Sequence, residues 1–79
     1  MSVLLDPQRL HRELARRGLS GSDLAREAKV SRATVSAALA GRAISAASLQ
    51  LIATVLIRVP IVEVIDQLLR PAHDPHGIE

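Results

Sequence analysis

The chain has no cysteine and no phenylalanine, tyrosine or tryptophan. The first absence excludes disulfides, thiolate metal sites and a cysteine nucleophile, and leaves helix packing or self-association to stabilise a small fold. The second leaves the interior to Leu, Ile, Val and Ala, which are plentiful in a chain that is 48% apolar. Short side chains of similar size suit closely packed helices better than a sheet sandwich. No apolar run approaches the roughly 20 residues that span a bilayer, and no charged leader precedes an apolar stretch with a cleavage site. A soluble, cytoplasmic protein is therefore expected. With 79 residues there is room for one domain, which buries only roughly 60% of the surface its unfolded chain exposes.

Acidic residues are scarce in one half. Residues 1–42 carry seven Arg and one Lys against two Asp and two Glu, a net +4, whereas residues 43–79 carry two Arg against four acids, a net −2. The overall charge of +2 conceals this separation, which gives one end a basic face for a polyanion and the other end a different task. Also missing is any phosphate-cradling glycine loop, or a Ser, His and Asp close together on ordered elements. The histidines are His11, His73 and His76. No enzyme activity, cofactor or metal is expected.

What the chain does contain is helix punctuation. Asp6-Pro7 pairs a capping carboxylate with a proline suited to the first helical position, and Leu5 and Leu10 have hydrophobic-staple spacing. A first helix is predicted over 7–17, with Leu10 and Leu14 inward and Arg9, Arg12 and Arg16 on an outer stripe that is either solvated or phosphate-facing. Gly18 ends it. Ser20 and Asp23 have capping-box spacing for a second helix over 21–28, whose inner face is Leu24, Ala25 and Ala28. Lys29-Val30 is the turn. Ser31 caps a third helix over 32–40, closed by Gly41.

In this third helix Val35, Ala38 and Leu39 form a narrow apolar stripe, leaving Arg32, Ala33, Thr34, Ser36 and Ala37 outward. That face has no carboxylate, so it repels no phosphate, and its small side chains permit close approach to another backbone.

A fourth helix follows from Ser45 or Ser48 to about residue 57, with Leu49, Ile52, Ala53 and Leu56 at core spacing and Leu51 and Val55 outside that stripe. Val59-Pro60 breaks the backbone. A fifth helix over 61–69 carries Ile61, Val62, Val64, Ile65, Leu68 and Leu69 on an arc of roughly 160°. That is more apolar surface than one small core needs. Leu51, Val55, Ile61, Val64, Ile65 and Leu68 are accordingly expected to form a homodimer interface. Residues 71–79 lack periodicity and read as a loose tail, so that His73, Asp74 and His76 are polar decoration and no metal site.

From Gly18 to Gly41 the chain resembles the lambda-repressor/Cro-like helix-turn-helix family, the xenobiotic-response-element family of bacterial and phage regulators. The resemblance rests on Gly18-Leu19-Ser20, Leu24-Ala25, Val30-Ser31-Arg32, Val35-Ser36 and Gly41-Arg42, extended by Leu49, Ile52-Ala53, Leu56 and Val59-Pro60. It implies an all-α, five-helix domain over residues 1–70 whose third helix enters the major groove of double-stranded DNA. Arg32, Ala33, Ser36 and Ala37 then match base-reading positions, with Arg32 forked to guanine O6 and N7. Ser20, Gly21, Ser22 and Arg42 match phosphate-holding positions, and Thr34 or Ala33 meets a thymine methyl.

The resemblance also implies a repressor that acts as a homodimer on two half-sites. The alternative is a protein-interaction module of the same fold, such as an antitoxin or adaptor, and Arg32, Ser36 and Arg42 argue against it. Four departures stand out. Gly21 occupies a place where many relatives have a Gln that braces phosphate and the first residue of the third helix. Lys29 replaces the usual turn glycine, so it takes a left-handed conformation or the turn is reshaped. The link through Ile57-Arg58 is one residue longer than usual. Leu14 and Leu39 stand where many relatives have an Arg–Glu pair, and the two leucines are expected to meet.

Overall fold

The computed structural model describes residues 1–69, and the expected tail, with His73, Asp74 and His76, lies outside the described residues. The elements are β1 (Ser2–Val3), α1 (Pro7–Arg16), α2 (Gly21–Ala28), α3 (Arg32–Leu39), β2 (Ile44–Ser45), α4 (Ala46–Arg58) and α5 (Glu63–Leu68). The five expected helices are all present.

Each of the first four begins where a side chain takes up free amide groups. Asp6 accepts from the N–H groups of Gln8 and Arg9, Ser20 from Asp23, Ser31 from Thr34 and Ser45 from Ser48. Ser45, and not Ser48, is thus the cap of α4. The stops are equally local. Gly18 and Gly41 take φ of +68° and +78°, the conformation that lets Leu19 N–H reach Leu14 O at 2.9 Å and Arg42 N–H reach Ala37 O at 2.8 Å, closing α1 and α3.

Leu10, Leu14, Leu24, Ala25, Ala28, Val35, Ala38, Ile44, Ile52 and Val55 form the core, and no polar or charged residue is buried among the described residues. The smallness of Ala25, Ala28 and Ala38 lets α2 and α3 approach closely, as a larger side chain at their crossing would overpack it. Around this pair, α1 packs on α3 and α2 packs on α4. Leu14 belongs to the core and Leu39 is half-buried against it.

Four findings differ from the sequence reading. Residues 1–5 are not merely an apolar lead-in: Ser2 and Val3 pair antiparallel with Ser45 and Ile44, and Ala46 N–H donates to Met1 O at 3.1 Å. Val55, expected at a dimer interface, is only 1% exposed. It belongs to the same core cluster as Ile52, so the core-facing arc of α4 is wider than its apolar spacing indicates; α4 packs against α2, β1 and β2. The longer link is absorbed by extending α4 to Arg58, leaving Ile57 on the surface at 85% exposure. Finally, α5 is six residues long, shorter than expected, with no side-chain cap and no buried residue.

The end of α1 holds that last helix. Val62 N–H donates to Arg16 O at 2.9 Å, and Arg16 Nε to Asp66 Oδ1 at 2.6 Å. Arg16 is therefore not a free member of an outer stripe. Its neighbour Arg17 donates through Nε to the carbonyls of Leu56 and Val59 and through Nη1 to Glu13. Glu13 touches both guanidiniums, and the hydrogen bond from Arg17 in particular holds its carboxyl below the usual carboxylate range.

Candidate nucleic-acid interface

The α2–turn–α3 unit is assembled by short-range hydrogen bonds. Ser20 Oγ accepts from Asp23 N–H at 3.0 Å while the Asp23 carboxylate accepts from Ser20 N–H at 2.9 Å, a reciprocal cap that opens α2. The Asp23 carboxyl is held below its ordinary pKa first by that backbone N–H and then by Arg26. Paired in this way, its charge is partly neutralised at a helix start that otherwise favours anions.

Lys29 ends α2 in the left-handed conformation, φ +60° and ψ +41°, the first of the two alternatives open to a lysine in place of glycine. A non-glycine residue there costs about 1–2 kcal/mol. The turn keeps its shape nevertheless, because Val30 N–H reaches back to Ala25 O at 3.1 Å and Val30 packs partly buried against the core. Ser31 then starts α3, its hydroxyl 2.9 Å from that of Thr34.

Within α3, Val35 and Ala38 point into the core, and Arg32, Ala33 and Ser36 are exposed. Ala37 is half-buried against the core and Thr34 is half-buried beside its cap, so these two offer less to an approaching molecule than their outward spacing predicts. An open groove of about 240 Å³ separates the start of α2 from α3, lined by Gly21, Ser22, Arg32, Val35, Ser36 and Leu39. It brings together four of the residues matched to DNA-contacting positions: Gly21, Ser22, Arg32 and Ser36. Ser20 adjoins it in sequence, but its hydroxyl is engaged in capping. Arg42 is exposed just beyond the end of α3.

Hydrogen bonding sorts the basic side chains into two groups. Arg16, Arg17, Arg26 and Arg58 each pair with a carboxylate. Arg9, Arg12, Lys29, Arg32 and Arg42 make no such pair among the described residues. The unpaired cations are those available to an external anion, and they include both α3-associated arginines. The sequence reading missed the Glu13, Arg16 and Arg17 cluster. Its i, i+3 and i, i+4 spacing was visible, but its partners lie about forty residues away at the end of α4 and fifty away in α5.

No helix among the described residues is long and apolar enough to cross a membrane. Comparison with curated proteins and with solved structures finds no match. A family model described as helix-turn-helix matches residues 9–64, an interval that takes in the capped α2, the left-handed turn, α3 with its open groove, and the start of α5. On this match the chain belongs to the lambda-repressor/Cro-like helix-turn-helix family of DNA-binding regulators.

Proposed function

We propose that the chain is a sequence-specific transcriptional regulator, a repressor that acts in the cytoplasm as a homodimer on an operator with two related half-sites. The observation that carries this reading is Arg32, exposed in the first turn of α3, unpaired among the described residues and beside an acid-free groove. A guanidinium placed there is free to fork onto guanine O6 and N7, a contact worth about 1–3 kcal/mol of discrimination. Ala33 and Ser36 leave room for the base edges, Ala37 borders them, and Thr34 or Ala33 lies near a thymine methyl. Ser20, Gly21, Ser22 and Arg42 hold phosphates.

Homodimerisation is supported by apolar surface left on α4, α5 and their link. Leu51, Ile61, Val64 and Leu68 are 46%, 38%, 69% and 77% exposed, and Val62 extends the patch. Covering them against a twofold copy removes apolar area worth on the order of 25 cal/mol per Å², before the cost of association. In such a dimer the two recognition helices lie about 34–36 Å apart, one turn of DNA.

Selection of bound duplexes from a random pool, repeated across salt concentrations, tests the reading. It predicts an enriched motif containing guanine in two copies, and Arg32→Ala is expected to relax the preference at that guanine. If Arg32→Ala weakens all sequences equally, the residue holds phosphate and reads no base. Salt-dependent binding without a motif indicates a nonspecific binder, and no DNA binding at all favours the protein-partner alternative. Val64→Glu and Leu68→Glu are expected to yield monomers in sedimentation.

A further inference from the structure

We propose that the Arg16–Asp66 ion pair sets the pose of α5 on α1, and with it the separation of the two recognition helices in the dimer, so that Asp66 is a positioning residue for operator spacing. This rests on the homodimer reading above.

Two joints lie between a recognition helix and the α5 part of the dimer face. The first is α3 on α1, made within the core where Leu10, Leu14, Val35 and Ala38 are nearly inaccessible. A joint of that kind has close-packed side chains and does not pivot. The second is α1 on α5, and it is built differently. Helix α5 buries no residue and has no side-chain cap, and Val64 and Leu68 point away from the body of the domain. What ties it down is the Val62–Arg16 backbone bond at its start, Ile65 lying against Gly18, and the Arg16–Asp66 contact one turn further on.

The backbone bond at its start and the contact of Ile65 with Gly18 fix where α5 sits but leave it free to tilt. The second polar contact, at Asp66, removes that freedom. Arg16 is itself held in place, because its Nη1 lies 3.0 Å from Glu13 Oε2 on the same helix, so the guanidinium reaches Asp66 as a strut with two fixed ends. On the other side of the link, Arg17 fastens the end of α4 by the carbonyls of Leu56 and Val59. The connection is therefore gripped from both directions by consecutive arginines. With side chains 26% and 36% exposed, the Arg16–Asp66 pair contributes little to global stability. Selecting one pose among several of similar energy requires far less.

The test compares wild type, Asp66→Ala and Asp66→Asn on duplexes that carry two copies of the selected half-site, with the spacer changed one base pair at a time. Single half-site affinity and sedimentation are measured alongside. Wild type is expected to prefer one spacer about tenfold over its neighbours. Both variants are expected to remain dimers with unchanged affinity for one half-site, while the spacer preference flattens or moves. A merely stabilising role for Asp66 changes all spacers alike.

The proposal is overturned by a dimeric Asp66→Ala with the wild-type spacer profile, or by a wild type indifferent to spacing. It is also overturned if Asp66→Ala is monomeric where wild type is dimeric, since Asp66 then serves association itself. A wild type that binds its motif as a monomer refutes the dimer reading, and the proposal with it. Absence of any DNA motif refutes the regulator reading first.

Discussion

Arg17 Nε donates to the carbonyl oxygen of Leu56 at 2.9 Å, so that a cation at the end of α1 closes the end of α4. The same nitrogen lies 3.1 Å from Val59 O, and Nη1 reaches both the carbonyl and the carboxylate of Glu13. The side chain is only 11% exposed, so removing it strands those acceptors away from water. Arg17→Ala is expected to lower stability by about 2–3 kcal/mol in urea titration. Arg17→Lys restores little of the loss, because an ammonium lacks the fork that serves several acceptors together. Alanine at the exposed Arg26 has a far smaller effect.

Glu13 gives the fold an acid-sensitive component. Its folded carboxyl is held below the ordinary value of 4.5 by Arg17 first, assisted by Arg16, so the unfolded chain takes up a proton at higher pH than the folded one. The resulting stabilisation is fully present above about pH 4.5 and is lost as pH falls from there through the folded value. Asp23, depressed by the Ser20 N–H and Arg26, acts in the same direction. Urea midpoints measured between pH 7 and pH 3 are expected to fall less steeply for Glu13→Gln than for wild type. Parallel curves contradict the assignment.

Nothing in the fold requires glycine at position 21. A Cβ there meets Leu39 Cδ1 at 3.4 Å and Val35 Cγ1 at 3.5 Å, close to ordinary contact, and the residue begins a helix. Gly21→Ala is expected to stabilise the domain by about 0.5 kcal/mol. Gly21→Gln fills the groove beside Arg32 and supplies the brace that the family resemblance implies. One added hydrogen bond to Arg32 or a phosphate is expected to tighten operator binding roughly two- to tenfold, read by fluorescence anisotropy. Weaker binding instead means that DNA itself occupies the groove.

Val55 lies in the core and Val64 on the face proposed for the homodimer. Val55→Ala opens a space in the core and is expected to cost about 1.5–3 kcal/mol at every protein concentration. Val64→Ala, at a position 69% exposed, leaves the folded monomer nearly unchanged and makes Tm fall on dilution at higher concentrations than for wild type. Thermal scans of both variants across a hundredfold range of concentration check the distinction.

These residues also show where the sequence was legible. Ser20 with Asp23, Ser31 and Asp6 each act within three positions, so spacing alone located three helix starts to within a residue and left the fourth between Ser45 and Ser48. The left-handed Lys29 was one of two outcomes foreseen for the same reason. Val55 was misplaced because what packs against each face of a helix is set by elements distant in the chain, and periodicity within α4 carries no record of that. Arg16 looked like surface charge because Asp66 lies fifty positions on. Of the candidate site, the exposure of Arg32, Ala33 and Ser36 followed from helical spacing. The groove at Gly21 did not, since it is a space between two helices.

The pairing of Val3 with Ile44 has a kinetic meaning. Helices α2 and α3 meet across a turn of a few residues, whereas β1 and β2 join only after most of the chain has been brought into a closed loop, for two rungs of a ladder. Loop closure of that length is unfavourable until the core has formed. The ladder is therefore expected to form after the helix-turn-helix unit. Its amides, and that of Ala46, are expected to exchange with solvent through local openings that leave the helix-turn-helix intact.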